Sequence, residues 1–288
     1  MTDSNKFIQG KTCLITGATS GIGKVTAGEL ARLGGHIVIV SRSEEKCQRT
    51  AESINEEIGV EHVNYIVADL SVMENVRQAA EEYKESYDNL DVLVNNAGAY
   101  FTSRNETPDG FERTFALNHL SYFVLTHELL GLLTTNGPAR IINVASDAHR
   151  GNKITFDDLN REEKYSGFHV YGESKLANIM FTYALDRRLS DTNVSVNAVH
   201  PGFVASGFGK NNSLPVRILM SVFHLFARSP EKGAETSIYL ASSSDVGGES
   251  GKYYVDKKAK RSSKASYDEE AQERLWEVSK EMTGIESF

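Results

Sequence analysis

Cysteine is scarce in this chain, with two in 288 residues, and the pair lacks metal-ligand spacing. That argues against a disulfide framework and a zinc site and suits a reducing compartment. Basic excess is missing too: 31 Lys and Arg face 39 Asp and Glu, a formal charge of -8, so a nucleic-acid surface is not expected. The one basic cluster, KKAKRSSK from Lys257 to Lys264, runs straight into acidic residues and reads as a solvated turn. No stretch approaches the ~18 consecutive apolar residues of a membrane-spanning helix, and the N-terminal MTDSNKFIQG has no apolar signal-like region. These absences predict a soluble, cytoplasmic protein. Two common nucleotide motifs are also missing: the G-x-G-x-x-G fingerprint and the Walker lysine pattern.

What is present is a core and a rhythm. Hydrophobic residues make up 40% of the chain, enough to bury a substantial interior. Short Val/Ile/Leu-rich runs begin near residues 11, 36, 62, 90, 139, 194 and 251, with helical stretches such as GKVTAGELARLG and VRQAAEEYKESY between the early ones. Near-continuous apolar runs are the mark of strands buried on both faces, and their alternation with helices predicts right-handed β-α-β units. The expected fold is α/β, a doubly wound, Rossmann-type parallel sheet of about seven strands. No composition shift breaks the chain, so residues 1–288 are expected to form one domain.

The first strand leads into TGATSGIGK, Thr16 to Lys24, with glycines at 17, 21 and 23. Glycines there let the backbone turn tightly beside a pyrophosphate, whose charge is stabilised by free N–H groups at the following helix N-terminus. After the second strand come Ser41 and Arg42, and the nearest acids, Glu44 and Glu45, fall at the start of the next helix. An acid at the strand end would hold a ribose 2′-hydroxyl, whereas an arginine accommodates a 2′-phosphate. NADP(H) is the expected cofactor.

Further along, YGESK sets Tyr171 four positions before Lys175 on a helix-like segment. One helical turn brings such side chains roughly 6 Å apart, close enough for an ammonium to lower a tyrosine pKa from about 10. The same spacing recurs at Tyr253/Lys257 and Tyr254/Lys258, but on a strand four residues span about 13 Å and the groups could not couple. Ser146, at the end of the fifth strand, stands where open α/β sheets place their ligands.

In order along nearly the whole chain, TGATSGIG, NNAG (Asn95 to Gly98), YGESK and HPGFV (His200 to Val204) resemble the motifs of the short-chain dehydrogenase/reductase family. RIINVASDAH, SKLANIMFT, SPEKGAETSIYLA and the C-terminal GKYYVD…ERLWEVSKEMTG make the chain most similar to the retinol dehydrogenase-like branch. Membrane-anchored members of that branch carry an N-terminal apolar anchor, which this sequence lacks. The resemblance implies that Tyr171 is the general acid and base, Lys175 its partner, Ser146 the group that orients the substrate oxygen, and Asn118 the holder of a relay water. It implies cofactor contacts from Gly17, Thr19, Ser20, Gly21, Ile22 and Gly23, and from Ser41 and Arg42. Asp69 and Leu70 are expected at the adenine, and Asn95, Ala97 and Gly98 beneath the adenosine ribose. Tyr171 and Lys175 are expected at the nicotinamide ribose, with Pro201, Gly202, Val204 and Ser206 closing over the nicotinamide. No metal is expected.

The insert from Asp147 to His169 resembles the longer loop of that branch and is expected to border the substrate cleft. His149 and His169 within it read as polar surface. Residues 214 to 226, LPVRILMSVFHLF, carry a wide apolar face that calls for core packing, a partner subunit, a membrane surface or a greasy substrate. By resemblance the segment at about 205–229 is a substrate lid, and a hydrophobic aldehyde or ketone, retinal-like or otherwise, is the expected substrate. The protein is expected to be a monomer or homodimer. Two other functions compete: a cofactor-binding sensor or scaffold without turnover, expected to lack Tyr171, Lys175 or Ser146, and a sugar-nucleotide epimerase, expected to have other glycine spacing and a larger C-terminal domain.

Overall fold

The computed structural model describes residues 7–135, 137–204 and 228–288, and in it every apolar run named above forms a strand. These are β1 (Thr12–Thr16), β2 (His36–Ser41), β3 (Val63–Val67), β4 (Val92–Asn95), β5 (Ala139–Val144), β6 (Val194–His200) and β7 (Lys252–Val255). An eighth, β8 (Lys258–Lys260), was not expected. The sheet runs β3-β2-β1-β4-β5-β6-β7-β8, parallel throughout except for the antiparallel β7–β8 pair.

β8 occupies the basic cluster that reads as a solvated turn. Asp256 (φ 50) and Lys257 (φ 60) lie in the left-handed region, as both loop residues of a type I′ hairpin must. All three β8 residues are exposed, and a lysine-rich outer edge discourages further strand pairing. The hairpin also disposes of the decoy pair: the Tyr253 hydroxyl donates to Asp147 (2.9 Å) while the Lys257 ammonium lies 3.3 Å from Glu235.

The helices are α1 (Gly21–Arg32), α2 (Glu44–Ile58), α3 (Met73–Ser86), the short α4 (Arg113–Phe115), α5 (Ser121–Thr135) and α6 (Gly167–Arg188), followed by Pro230–Ser242 and Glu269–Thr283. The apolar side chains of α1, α2 and Pro230–Ser242 pack on one face of the sheet; those of α3, α5, α6 and the C-terminal helix pack on the other. With both faces covered, the central strands β1, β4 and β5 are buried at every residue, which is why their sequences carry no polar alternation. Edge strand β3 is less covered: Val63 and Ile66 are buried on opposite faces, while Asn64 and Val67 are exposed. From β1 the chain winds outward through β2 to β3, then returns past β1 to β4. The reversal opens a crevice above the carboxyl ends of β1 and β4, the place where open α/β sheets bind ligands.

Candidate active site

A cavity of about 920 Å³ fills that crevice. The turn after β1 supplies Gly17, Thr19, Ser20, Gly21, Ile22 and Gly23 to its wall; β2 supplies Ser41 and Arg42, β3 leads to Asp69 and Leu70, and β4 to Ala97 and Gly98. Ser146 follows β5, Tyr171 and Lys175 come from α6, and Pro201, Gly202 and Val204 follow β6. Residues some 187 positions apart, Gly17 and Val204, thus line one cavity. Ser206 and the 214–226 segment lie outside the described residues.

The glycine turn has the form of a phosphate cradle. Gly17 adopts φ +67, and a Cβ there would stand 2.8 Å from the Ala97 Cα; a side chain at Gly23 would meet the Asn96 amide at 2.5 Å. Thr16 locks this turn to the loop after β4, its Oγ1 accepting from the N–H groups of Asn96 and Ala97 at 2.9 Å each. A backbone held this close leaves the cavity face for a bulky anion. The residues therefore fit a dinucleotide.

Two of the sequence expectations for this wall change. Asn95 does not line the cavity. It is fully buried and donates to Asn143 Oδ1 (2.9 Å) and Thr126 Oγ1 (3.1 Å), while its neighbour Asn96 faces the crevice, because successive strand-end side chains alternate direction. Asn118 also stands behind the wall. Its Oδ1 accepts from Ala99 N–H (2.9 Å), and its amide donates to Ala99 O (3.1 Å) and Ser174 Oγ (3.0 Å). The side chain thereby braces the loop that carries Gly98, with one Oδ1 lone pair left over. It sits in a π-helical turn, Ala116–Leu120, a local irregularity common at functional sites.

Several lining residues were not among the expected cofactor and catalytic contacts. Lys46 and Ser43 join Arg42, and Arg113, Asp147 and His200 also line the cavity. Lys46 sits in the first turn of α2, which begins at Glu44 after the extended Ser43, and so reaches the same cavity as Arg42.

Tyr171, Lys175 and Ser146 converge. The Ser146 hydroxyl is hydrogen-bonded to the Tyr171 phenol, and Lys175 Nζ lies 5.8 Å from the Tyr171 ring centre and donates to Val144 O at 2.9 Å. A Cβ on Gly98 would meet both Asn118 Oδ1 (3.2 Å) and Lys175 Nζ (3.3 Å), so the lysine reaches across beneath that loop. The electrostatics run opposite to the expectation from spacing. Burial pushes the phenol up to about 12, only partly offset by the Ser146 hydrogen bond, and burial brings the lysine down to about 7. Desolvation that penalises the phenolate also weakens the ammonium that would have favoured it.

The insert after Ser146 packs on α6. Arg161 (φ 55) reaches in to form a buried ion pair with Glu173, two residues beyond Tyr171, and Glu173 also accepts from Thr155 N–H. Glu173→Gln keeps an acceptor for Thr155 but leaves the Arg161 charge unpaired, so we expect a loss of about 3–5 kcal/mol in urea unfolding. A loss under about 1 kcal/mol would show that Arg161 finds another partner. His169 is exposed as expected, but His149 is fully buried, contrary to the reading of it as polar surface. Its ring is taken inside by partners on both nitrogens. Among the described residues no helix is long and apolar enough to cross a membrane, and no cluster of His, Cys, Asp and Glu could hold a metal.

A doubly wound sheet with a glycine-walled cavity at its switch point defines a dinucleotide-binding protein. The family model described as short chain dehydrogenase matches residues 11–215, and the chain belongs to that family of nicotinamide-dependent oxidoreductases. It is 40% identical over 296 residues to retinol dehydrogenase 14 of Homo sapiens, covering 97% of this chain and 88% of that one. To polyprenol dehydrogenase of Homo sapiens it is 36% identical over 282 residues, covering 96% and 86%. Among solved structures it is similar to L-sorbose reductase from Gluconobacter frateurii, complexed with NADPH and L-sorbose, at a TM-score of 0.69 and 25% identity, covering 87% of this chain and 96% of that one.

Proposed function

We propose that this oxidoreductase uses NADP(H) to interconvert a hydrophobic aldehyde or ketone and its alcohol, with Tyr171 as the proton donor. The observation that carries the reading is the meeting of Tyr171, Ser146 and Lys175 on one cavity whose other walls form the glycine cradle and the Arg42–Lys46 pair. Bound NADPH would supply the hydride. It would be held by the backbone of residues 17–23, by Asp69 and Leu70 at the adenine, and by Ala97 and Gly98 beneath the adenosine. Pro201, Gly202, Val204 and Ser206 would close the nicotinamide end.

The chain's own part is proton delivery. Ser146 donates to the substrate oxygen and fixes it beside the phenol; Tyr171 then gives up its proton as negative charge grows on that oxygen. A phenol raised to about 12 is fully protonated at neutral pH, so the resting site is loaded for reduction. Lys175 regains charge beside an anionic dinucleotide and makes the phenol easier to deprotonate as the transition state forms. Asn118 holds the Ala99 loop against α6 and, through its remaining lone pair, could anchor the relay water. Support for an apolar substrate comes from Tyr100, Phe101, Leu117, Phe168 and Phe203 on the cavity wall and from relatives named for retinol and polyprenol. The 205–229 segment would act as the lid of a single catalytic domain.

Cofactor choice is tested at Arg42. Arg42→Gln should weaken NADPH binding by about 10- to 100-fold, the value of a charge-assisted phosphate contact, and NADH binding by less than about twofold. Equal losses for both cofactors in fluorescence titrations would count against NADP(H) preference.

A further inference from the structure

His149 does no chemistry in the mechanism above, yet both of its ring nitrogens are committed. Nδ1 lies 2.6 Å from the Ser146 carbonyl oxygen, and Nε2 accepts from the Ser263 N–H at 2.9 Å. A carbonyl can only accept and an amide N–H can only donate. The ring is therefore neutral, with its proton on Nδ1. It is fully buried and meets Tyr253 edge-on, ring centres 5.2 Å apart. The Ser146 carbonyl also accepts from the His149 backbone N–H at 3.1 Å, so one residue grips that peptide twice.

We propose that His149 is a positioning residue for Ser146: its neutral imidazole bolts the strand-end peptide to the Ser263 segment and so fixes the serine hydroxyl against Tyr171. This rests on the reading of Ser146 as the group that orients the substrate oxygen. The turn on which Ser146 stands, Asp147–His149, has few other anchors toward the C-terminal segment: Tyr253 and Arg150 hold the Asp147 carboxylate (2.9 Å each), and Arg150 reaches Arg261 O (3.1 Å). Without the imidazole, the Ser263 N–H loses its buried partner and the Ser146 carbonyl keeps only the His149 backbone N–H, so the peptide that carries the hydroxyl is held less firmly.

The arrangement is sensitive to acid. Protonation would put a second N–H on the ring, facing the Ser263 N–H, and the bond would be lost. Charges around the ring are Asp147 and Arg150 on its own turn and His200 at the end of β6; β7 presents Tyr253, and α6 brings Tyr171 to Ser146 while packing its uncharged Gly172 against Ala148. Burial is the leading influence and holds the imidazole below its ordinary range, so the neutral form persists at physiological pH and fails only in more acidic solution.

Two variants separate the bonds. His149→Asn places its amide at the Nδ1 position, where it can still donate to the Ser146 carbonyl, whereas His149→Gln places its amide at the Nε2 position, where its oxygen can accept from Ser263. With NADPH and nonanal as probe, His149→Gln should lower kcat by about 10- to 100-fold, the cost of misplacing a reacting group by about 1 Å, with NADPH affinity unchanged. His149→Asn should recover most of that loss and remove the acid limb of the wild-type kcat profile. In a Ser146→Ala background, His149→Gln should cost less than about threefold, since its effect passes through the serine. An equal loss in both backgrounds, or a His149→Gln enzyme with wild-type kcat, would overturn the inference while an impaired Ser146→Ala leaves the reading of Ser146 standing. If Ser146→Ala itself keeps wild-type kcat, the reading of Ser146 falls and this inference with it. Should His149→Gln fail to fold, the acid limb in wild type and its absence in His149→Asn decide the matter.

Discussion

Tyr171→Phe should lower carbonyl reduction by about 10²–10⁴-fold, the usual worth of a general acid, while NADPH binds within about twofold of wild type. The hydroxyl is the only group removed, and it faces the cavity with Ser146 as its hydrogen-bond partner. Its proton is needed mainly when the substrate oxygen becomes an alkoxide, so the loss falls on kcat rather than on binding. The glycine turn and the Arg42 end of the cavity, proposed to hold the dinucleotide, are untouched by the change. The same phenol, raised to about 12, also sets the pH behaviour. Reduction should hold steady through neutral pH, whereas alcohol oxidation, which needs the phenolate, should accelerate as the solution becomes alkaline. A Tyr171→Phe enzyme with near wild-type kcat would assign the proton to another group.

Lys175→Met should cost activity on a similar scale, about 10²-fold or more, together with some NADPH affinity, and should also stabilise the protein without cofactor. The second effect follows from burial. Lys175 is held at about 7, against an ordinary value of 10.5. Between those values the unfolded chain binds a proton that the folded chain lacks, so wild-type stability rises with pH across this window. Each unit is worth about 1.4 kcal/mol. Methionine has no such titration, so its advantage is greatest at and below about pH 7 and shrinks toward zero near the unfolded value. The lost hydrogen bond to Val144 O is partly covered by Asn178, whose amide already donates to that oxygen at 3.3 Å. Thermal melts at neutral and alkaline pH check the sign: a Tm gap that widens with rising pH would contradict it.

The strands and most of the residues that line the cavity were legible in the sequence because they rest on local patterns. The Val/Ile runs of β1, β4 and β5 carry their double burial openly, and the glycine turn, NNAG and YGESK each hold their functional atoms within a few residues. β8 was hidden because Lys258–Lys260 has no apolar face and its turn, Asp256–Lys257, lacks the glycine that usually marks a tight hairpin. Adjacent asparagines share one motif, and only the direction of the strand end decides that Asn96 and not Asn95 faces the cavity. The Tyr171–Lys175 spacing gives proximity but not dielectric, so it missed that burial outweighs the ammonium. His149 was missed for a different reason: its partner Ser263 is 114 residues away, a contact that no local pattern announces.

The proposed hydride transfer from NADPH to a hydrophobic carbonyl is tested most directly by isotope transfer. NADPH deuterated at its transferable position, incubated with the protein and either retinal or nonanal, should yield the corresponding alcohol carrying one deuterium at the former carbonyl carbon, in equal amount to the NADPH consumed. Bound but unconsumed NADPH with no alcohol from either substrate, as a cofactor-binding sensor would give, would contradict the account.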